Sequence, residues 1–233
     1  MPNYVLTGTP GAGKTVILRQ LEINGYAVVE EAATDIIALE QAQGVTEPHL
    51  EADFVDKIVR LQRSRELAVT TATQLAATNV AQLAPTKVAQ LAATTVTQLA
   101  ATTATQLAVS HTPPARETTP PLARSQVVFF DRSVICSLAL SRFLGAAVSA
   151  LLAAEVDRVV AEQVYSPRVF FVRGLGFVAP TEARRITLEH ALIFEKVHEE
   201  TYRELGFELV EVPPGPVAAR VALIEREVSA LKV

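Results

Sequence analysis

The run Gly8-Thr9-Pro10-Gly11-Ala12-Gly13-Lys14-Thr15 constrains this chain more than any other stretch. A glycine, four residues and then Gly-Lys-Thr is the pattern of a loop that joins a strand to a helix and cradles phosphate. Gly8 and Gly13 let the backbone turn tightly and approach a ligand closely. The loop N–H groups then point inward and, with the start of the helix, favour negative charge. Lys14 adds a full positive charge at the β- and γ-phosphates of a nucleoside triphosphate, and Thr15 offers a hydroxyl to Mg²⁺. All eight residues are therefore expected to bind nucleotide. A lysine in such a loop is expected to stand outside the packed core.

The flanks suit the motif. Tyr4-Val5-Leu6 reads as a short strand before it, and Val16, Ile17, Leu18 and Leu21 recur at helical spacing after it, closed by Asn24-Gly25. Further apolar runs without alternation follow at Tyr26–Val29, Val127–Phe130, Arg168–Val172 and Glu208–Val212. Such runs suit strands buried on both faces. Between them lie helical patterns over Thr34–Gln43, about Glu51–Leu67, Leu151–Val164, Leu188–Leu205 and Val217–Leu231. Strands alternating with helices predict an α/β fold, a parallel sheet with helices on both faces.

One stretch breaks this alternation. From Thr70 to Arg124 an eight-residue repeat begins at Thr73 and returns at Ala81, Ala89 and Thr97, with a partial copy from Thr105 and a Pro/Thr-rich tail. Eight residues advance a helix by about 80° beyond two turns, so Leu75, Leu83, Leu91 and Leu99 would spiral around it and form no straight stripe. Pro85 interrupts any helix there. The segment 70–124 reads either as a tandem expansion tolerated in a surface loop or as an interaction surface or small solenoid. The remainder of 1–233 reads as one domain.

Net charge is −4, which does not point to a nucleic-acid surface. The single cysteine, Cys136, forms no disulfide within the chain and fits a reducing compartment. The start shows no basic, signal-like segment. The most apolar long stretch, Ser137–Val156, reads as a buried amphipathic helix with Arg142 at its edge, because a membrane span disfavours that charge. A cytoplasmic protein with no membrane partner is expected.

Other candidates for chemistry sit at strand ends, where open α/β sheets place ligand-binding groups. Asp131 follows Phe130 and is either a Mg²⁺ ligand with Thr15 or the N-cap of the next helix. Arg132 beside it either stabilises phosphate charge or lies on the surface. Glu30 and Glu31 either meet an acceptor hydroxyl or form a solvated acidic pair at a helix start, with Glu31 the stronger candidate. Arg173, Arg184 and Arg185 flank a glycine-containing segment that reads as a lid over the triphosphate, or else as a turn whose arginines pair with Glu182 and Glu189. Pro213-Pro214-Gly215-Pro216 either packs on a nucleotide base or is a plain turn. His49, His111, His190 and His198 have no metal-ligand spacing and are expected at the surface, with Cys136 as a small helix-packing residue.

Four segments taken together, Val5–Thr15, Gly25–Ala33, Val128–Ser133 and Tyr202–Pro213, resemble the AAA-type ATPase-like P-loop NTPase family. That family is related to ribosylnicotinamide kinase and, more distantly, to deoxyribonucleoside kinases. The resemblance implies a kinase-like three-layer sandwich with a five-stranded parallel sheet in the order 2-3-1-4-5, and ATP or GTP with Mg²⁺. It matches Glu31 to the acidic residue after the second strand, Asp131 and Arg132 to an Asp-Arg motif near the metal, and Arg184 and Arg185 to lid arginines. Thr34 stands where many members carry arginine, and the repeat segment is not a recognised family feature.

The reading that follows is a Mg-NTP phosphotransferase acting on a small-molecule acceptor, with Lys14, Glu31, Asp131, Arg132, Arg184 and Arg185 as its catalytic set. The alternatives are a nucleotide-binding regulator or slow NTPase without acceptor, and a binding protein that recruits through the repeats. Replacing Thr71–Arg124 with a short Gly/Ser linker should leave the melting temperature and its Mg-ATP shift nearly unchanged, since loop closure differs by only about 1–2 kcal/mol over that length. Loss of cooperative melting would make the segment part of the core.

Overall fold

Val5, Leu6, Phe129, Phe130, Phe170 and Phe171 are almost completely removed from solvent, and they set the centre of the molecule. The structure is a computed structural model that describes residues 2–8, 10–72, 75, 126–174 and 187–230. The chain divides into two compact units, Met1–Val69 with Pro121–Val233, and Thr70–Pro120. The second lies almost wholly outside the described residues, and the repeat segment with it. The first is described below.

Its elements are β1 (Asn3–Gly8), α1 (Lys14–Ile23), β2 (Ala27–Val29), α2 (Ala32–Ala42), a 3₁₀ turn at Pro48–Leu50, and helical residues 54–72, here α3. After the repeats come β3 (Val128–Asp131), α4 (Val134–Leu144), α5 (Ala150–Ala161), β4 (Arg168–Val172), α6 (Leu188–Glu204), β5 (Glu208–Val212) and α7 (Val217–Ala230). The five strands are parallel and ordered β2-β3-β1-β4-β5. The fold class and strand order expected from the sequence are therefore observed.

Alternate residues of the strands feed two cores. Tyr4, Leu6, Phe129 and Phe170 pack with Ile17 and Leu21 of α1 and Ile224 and Val228 of α7 on one face. Val5, Val128, Phe130 and Val169 pack with Ile135 of α4, Leu152 and Val156 of α5 and Tyr202 of α6 on the other. Two buried faces explain why the strands read as unbroken apolar runs. Full burial of one such side chain stabilises the fold by roughly 1.5–3 kcal/mol. The outer strands differ. β2 has three residues, and β5 carries Glu208 and Glu211, which discourages pairing with another sheet edge.

The stretch Ser137–Val156 is not one helix. Gly145, with φ 64°, ends α4 in the left-handed conformation, and Ser149 caps α5 by accepting from the Leu152 N–H at 3.0 Å. Among the described residues no helix is long and apolar enough to cross a membrane.

All strands point the same way, so their carboxyl ends share one edge. Register places Leu6 beside Asp131 and Gly8 beside Val172. Gly8 has φ 121°, and a Cβ there would collide with the Val172 backbone carbonyl. Gly8→Ala should thus cost about 2 kcal/mol or more, as both strain and a strand displacement are required. Gly44→Ala, at φ 95° with no atom within 4 Å of the new carbon, should cost about 1 kcal/mol. Urea midpoints of the two variants check the order, and equal losses would remove the close approach at Gly8.

Candidate functional site

Gly11 and Gly13 have φ 79° and 82°, and Gly13 begins α1 as its N-cap with no side chain to cap it. The first N–H groups of α1 are thereby left for a ligand. Lys14 folds back to donate to the Gly8 carbonyl at 3.2 Å and is 5% exposed. It is buried where β1 ends, contrary to the expectation from sequence, with its amine turned back onto the end of that strand. Thr9 lies outside the described residues.

Thr15 donates its hydroxyl to Asp131 Oδ2 at 2.8 Å. Asp131 is not a helix cap; Ser133 is, accepting from the Ile135 N–H at 3.2 Å. The second carboxylate oxygen, Oδ1, is buried with no hydrogen-bond partner among the described residues. Burial raises the Asp131 carboxyl above its ordinary range, Lys14 and Arg132 pull it back, and Glu31 adds to the rise. A buried carboxylate with one orphaned oxygen next to a threonine hydroxyl is a hard oxygen donor set, which fits Mg²⁺ completed by phosphates and water. Among the described residues no cluster of three His, Cys, Asp or Glu forms a closed metal cage.

Arg132 is buried, so the surface alternative is excluded. Its backbone sits in the left-handed region at φ 70°, with its N–H held by the Leu6 carbonyl at 3.0 Å. A non-glycine residue there stores strain of order 1–3 kcal/mol, a cost that clusters at functional positions. The guanidinium donates from Nε to Glu31 Oε1 at 2.6 Å, and Nη1 lies 3.2 Å from His198 Nε2. Burial is the largest influence and works against the charge, but Glu31, Cys136 and Asp131 together outweigh it and hold Arg132 above its ordinary value.

Glu31 also accepts from Thr34 Oγ1 at 2.9 Å, and its backbone carbonyl accepts from Arg65 of α3 at 2.8 Å. Thr34 thus orients the carboxylate. Glu30 points outward and pairs with Arg19. Arg173 pairs with Glu195 (2.7 Å), Glu199 and Glu211 (2.5 Å) and lies over Phe171. It is held at the end of β4 by carboxylates of α6 and β5. Arg184 and Arg185 lie outside the described residues.

Pro10, Glu31, Arg132 and Ser133 border a cavity of about 960 Å³. Its other walls are mostly apolar, among them Ile37, Phe54, Ile58, Leu140, Phe143 and Phe194. Gln62 of α3 lines it too, and its buried Nε2 has no partner among the described residues. Cys136 is a packing residue as expected; its sulfur lies 3.2 Å from Thr7 Oγ1 and from the Tyr202 hydroxyl.

Three participants escaped sequence reading. Gln62 and Arg65 lie on a helix with no motif. Arg220 of α7 is buried and donates to the Ala12 carbonyl at 2.7 Å and to the Arg173 carbonyl at 3.2 Å, bracing the glycine-rich loop. The histidine expectation was wrong for His198, which is fully buried because Arg132 offers it a donor and the Phe194 carbonyl an acceptor.

The fold and edge together define a P-loop NTPase with a kinase-like arrangement of strands. The chain belongs to the AAA domain family, whose model matches residues 3–220. No curated protein matches the chain. Among solved structures, it is similar to a deoxyadenosine kinase from M. mycoides with products dCMP and a flexible dCDP bound, at 13% identity, 98% of this chain, 99% of that chain and TM-score 0.43. The same enzyme with bound dATP gives 14%, 97%, 99% and 0.40. The strand order and the site stand on this chain's own residues.

Burial and the neighbouring Arg132 hold the His198 ring at about 3, against an ordinary 6.5. Between those values the unfolded chain binds a proton that the folded chain refuses. This group's contribution to stability is complete above the unfolded value and falls as pH drops, by up to about 1.4 kcal/mol per pH unit. His198→Gln should flatten the acid loss of stability by up to one proton's slope. Urea midpoints of both proteins between about pH 7 and 4 test it, and parallel curves would mean that the folded ring protonates normally.

Proposed function

We propose that the protein is a Mg-nucleoside-triphosphate-dependent phosphotransferase with a small hydroxyl-bearing acceptor. The observation that carries this reading is the cavity that meets the phosphate loop at Pro10 and is bordered there by the Glu31–Arg132 ion pair. A nucleotide-binding module without an acceptor has no use for a large pocket at the point where a γ-phosphate would end.

In this reading Gly8–Thr15 holds the triphosphate of ATP or GTP, and Lys14 lies against its β- and γ-oxygens. Thr15 and Asp131 would hold Mg²⁺, which when bound neutralises phosphate charge and orients the triphosphate. Glu31 orients the acceptor hydroxyl and takes its proton as the new O–P bond forms and the bond from the γ-phosphorus to the β–γ bridging oxygen breaks, so that the nucleoside diphosphate leaves. Arg132 carries charge that builds on the transferring phosphoryl group, and Arg184 and Arg185 are proposed to do so from the lid. The apolar walls bind the acceptor's body, with the Gln62 amide as a buried donor toward it. No role is assigned to any residue of 70–124.

A screen of nucleosides, nucleotides and vitamins for acceptor-dependent release of ADP or GDP tests the reading. Release that no acceptor stimulates would favour a slow NTPase or regulator. Asp131→Asn keeps the shape and removes the charge, so activity should fall by about a hundredfold and the Mg²⁺ titration should shift upward. Full activity with an unmoved titration would take Asp131 out of the metal site.

A further inference from the structure

His198 lies outside every motif, and yet it is the fully buried partner of the arginine that borders the acceptor cavity. Its two ring nitrogens face different chemistry. Nδ1 lies 2.9 Å from the Phe194 carbonyl, which can only accept, so Nδ1 carries the proton. In the neutral ring Nε2 is then a bare acceptor, and it takes a hydrogen bond from Arg132 Nη1 at 3.2 Å. The Phe194 ring stands edge-on to the imidazole at 4.2 Å between centroids and holds its plane.

We infer that His198 is a positioning residue: a neutral imidazole that fixes the direction of the Arg132 guanidinium while leaving its charge intact. Glu31 already holds Nε at 2.6 Å. A second carboxylate at Nη1 would cancel the field that Arg132 presents to a phosphoryl group, whereas a neutral acceptor orients without cancelling. With Nε and Nη1 held, Nη2 has no hydrogen-bond partner among the described residues, and the residue borders the cavity beside Pro10 of the phosphate loop. The left-handed backbone at Arg132 removes the usual side-chain directions, so this orientation depends on such external ties. The inference rests on the phosphotransfer reading, in which Arg132 meets the transferring group.

Two substitutions separate the ring's two bonds. In His198→Gln the amide oxygen reaches the Nε2 position and keeps the acceptor for Arg132. In His198→Asn the amide nitrogen stays near Nδ1, keeping the bond to Phe194 and losing the one to Arg132. The full chain is assayed with Mg-ATP and the nucleoside mixture of the screen, and folding is checked by melting curves. His198→Gln should retain kcat within about threefold, and His198→Asn should lose about tenfold or more in kcat with the KM for Mg-ATP little changed. A purely structural histidine predicts equal losses, or better survival of the Asn variant, and either result overturns the proposal alone. No acceptor-dependent release from the unaltered protein overturns the phosphotransfer reading and this proposal with it. If neither variant folds, ¹⁵N spectra of the unaltered protein decide. A neutral ring protonated at Nδ1 is expected, and an imidazolium or an Nε2-protonated ring overturns the assignment.

Discussion

Strand β1 lies at the centre of the sheet, between β3 and β4, and has no exposed side. Its interior residues are buried on both faces, and its end, Gly8, lies so close to Val172 that no side chain fits. The polar groups that can meet a ligand here gather at the carboxyl edge of the sheet, where strands stop and helices begin. Parallel pairing repeats this at every strand, which brings Lys14, Glu31, Asp131 and Arg132 to one edge although they come from three separate stretches of chain. The site is thus a consequence of sheet geometry before it is a matter of chemistry.

Charges so concentrated in a dry edge need partners, and the structure supplies them unequally. Arg132 and Glu31 pair with each other across 101 residues, with Thr34 and His198 adding a bond to each. Among the described residues Asp131 has only Thr15 as a hydrogen-bond partner and keeps one oxygen unpaired. A buried oxygen left in this state costs on the order of 1–3 kcal/mol or more, a penalty that a bound cation would relieve. The uneven satisfaction leaves the Asp131 oxygen as the atom at this edge most in need of a ligand.

The large cavity beside this edge has a different character. Its walls come from α2, α3, α4 and α6 and are mainly apolar, with polar groups confined to the Glu31–Arg132 border and to a few side chains such as Gln62. Apolar walls bind by area and discriminate weakly, while a buried unpaired amide rejects ligands that leave it unsatisfied.

The glycine-rich loop, the strands and the acidic strand ends were legible in the sequence. Each is written in contiguous residues, and the local rules are strong: glycine for a left-handed turn, apolar runs for doubly buried strands, a charged residue where a strand leaves the core. β4 and β5 fall on the predicted residues for that reason. Only the tertiary structure decided that Lys14 is buried, that the apolar stretch after Ser137 breaks into two helices, that Ser133 and not Asp131 caps the first of them, and that Arg132 has His198 behind it. The last of these, like other ties at the site, depends on partners far away along the chain: His198 for Arg132 at 66 residues, Asp131 for Thr15 at 116 and Arg220 for Ala12 at 208. A side chain's role as donor, cap or counter-charge is set by whichever group packing brings within about 3 Å, and no local pattern encodes that distance.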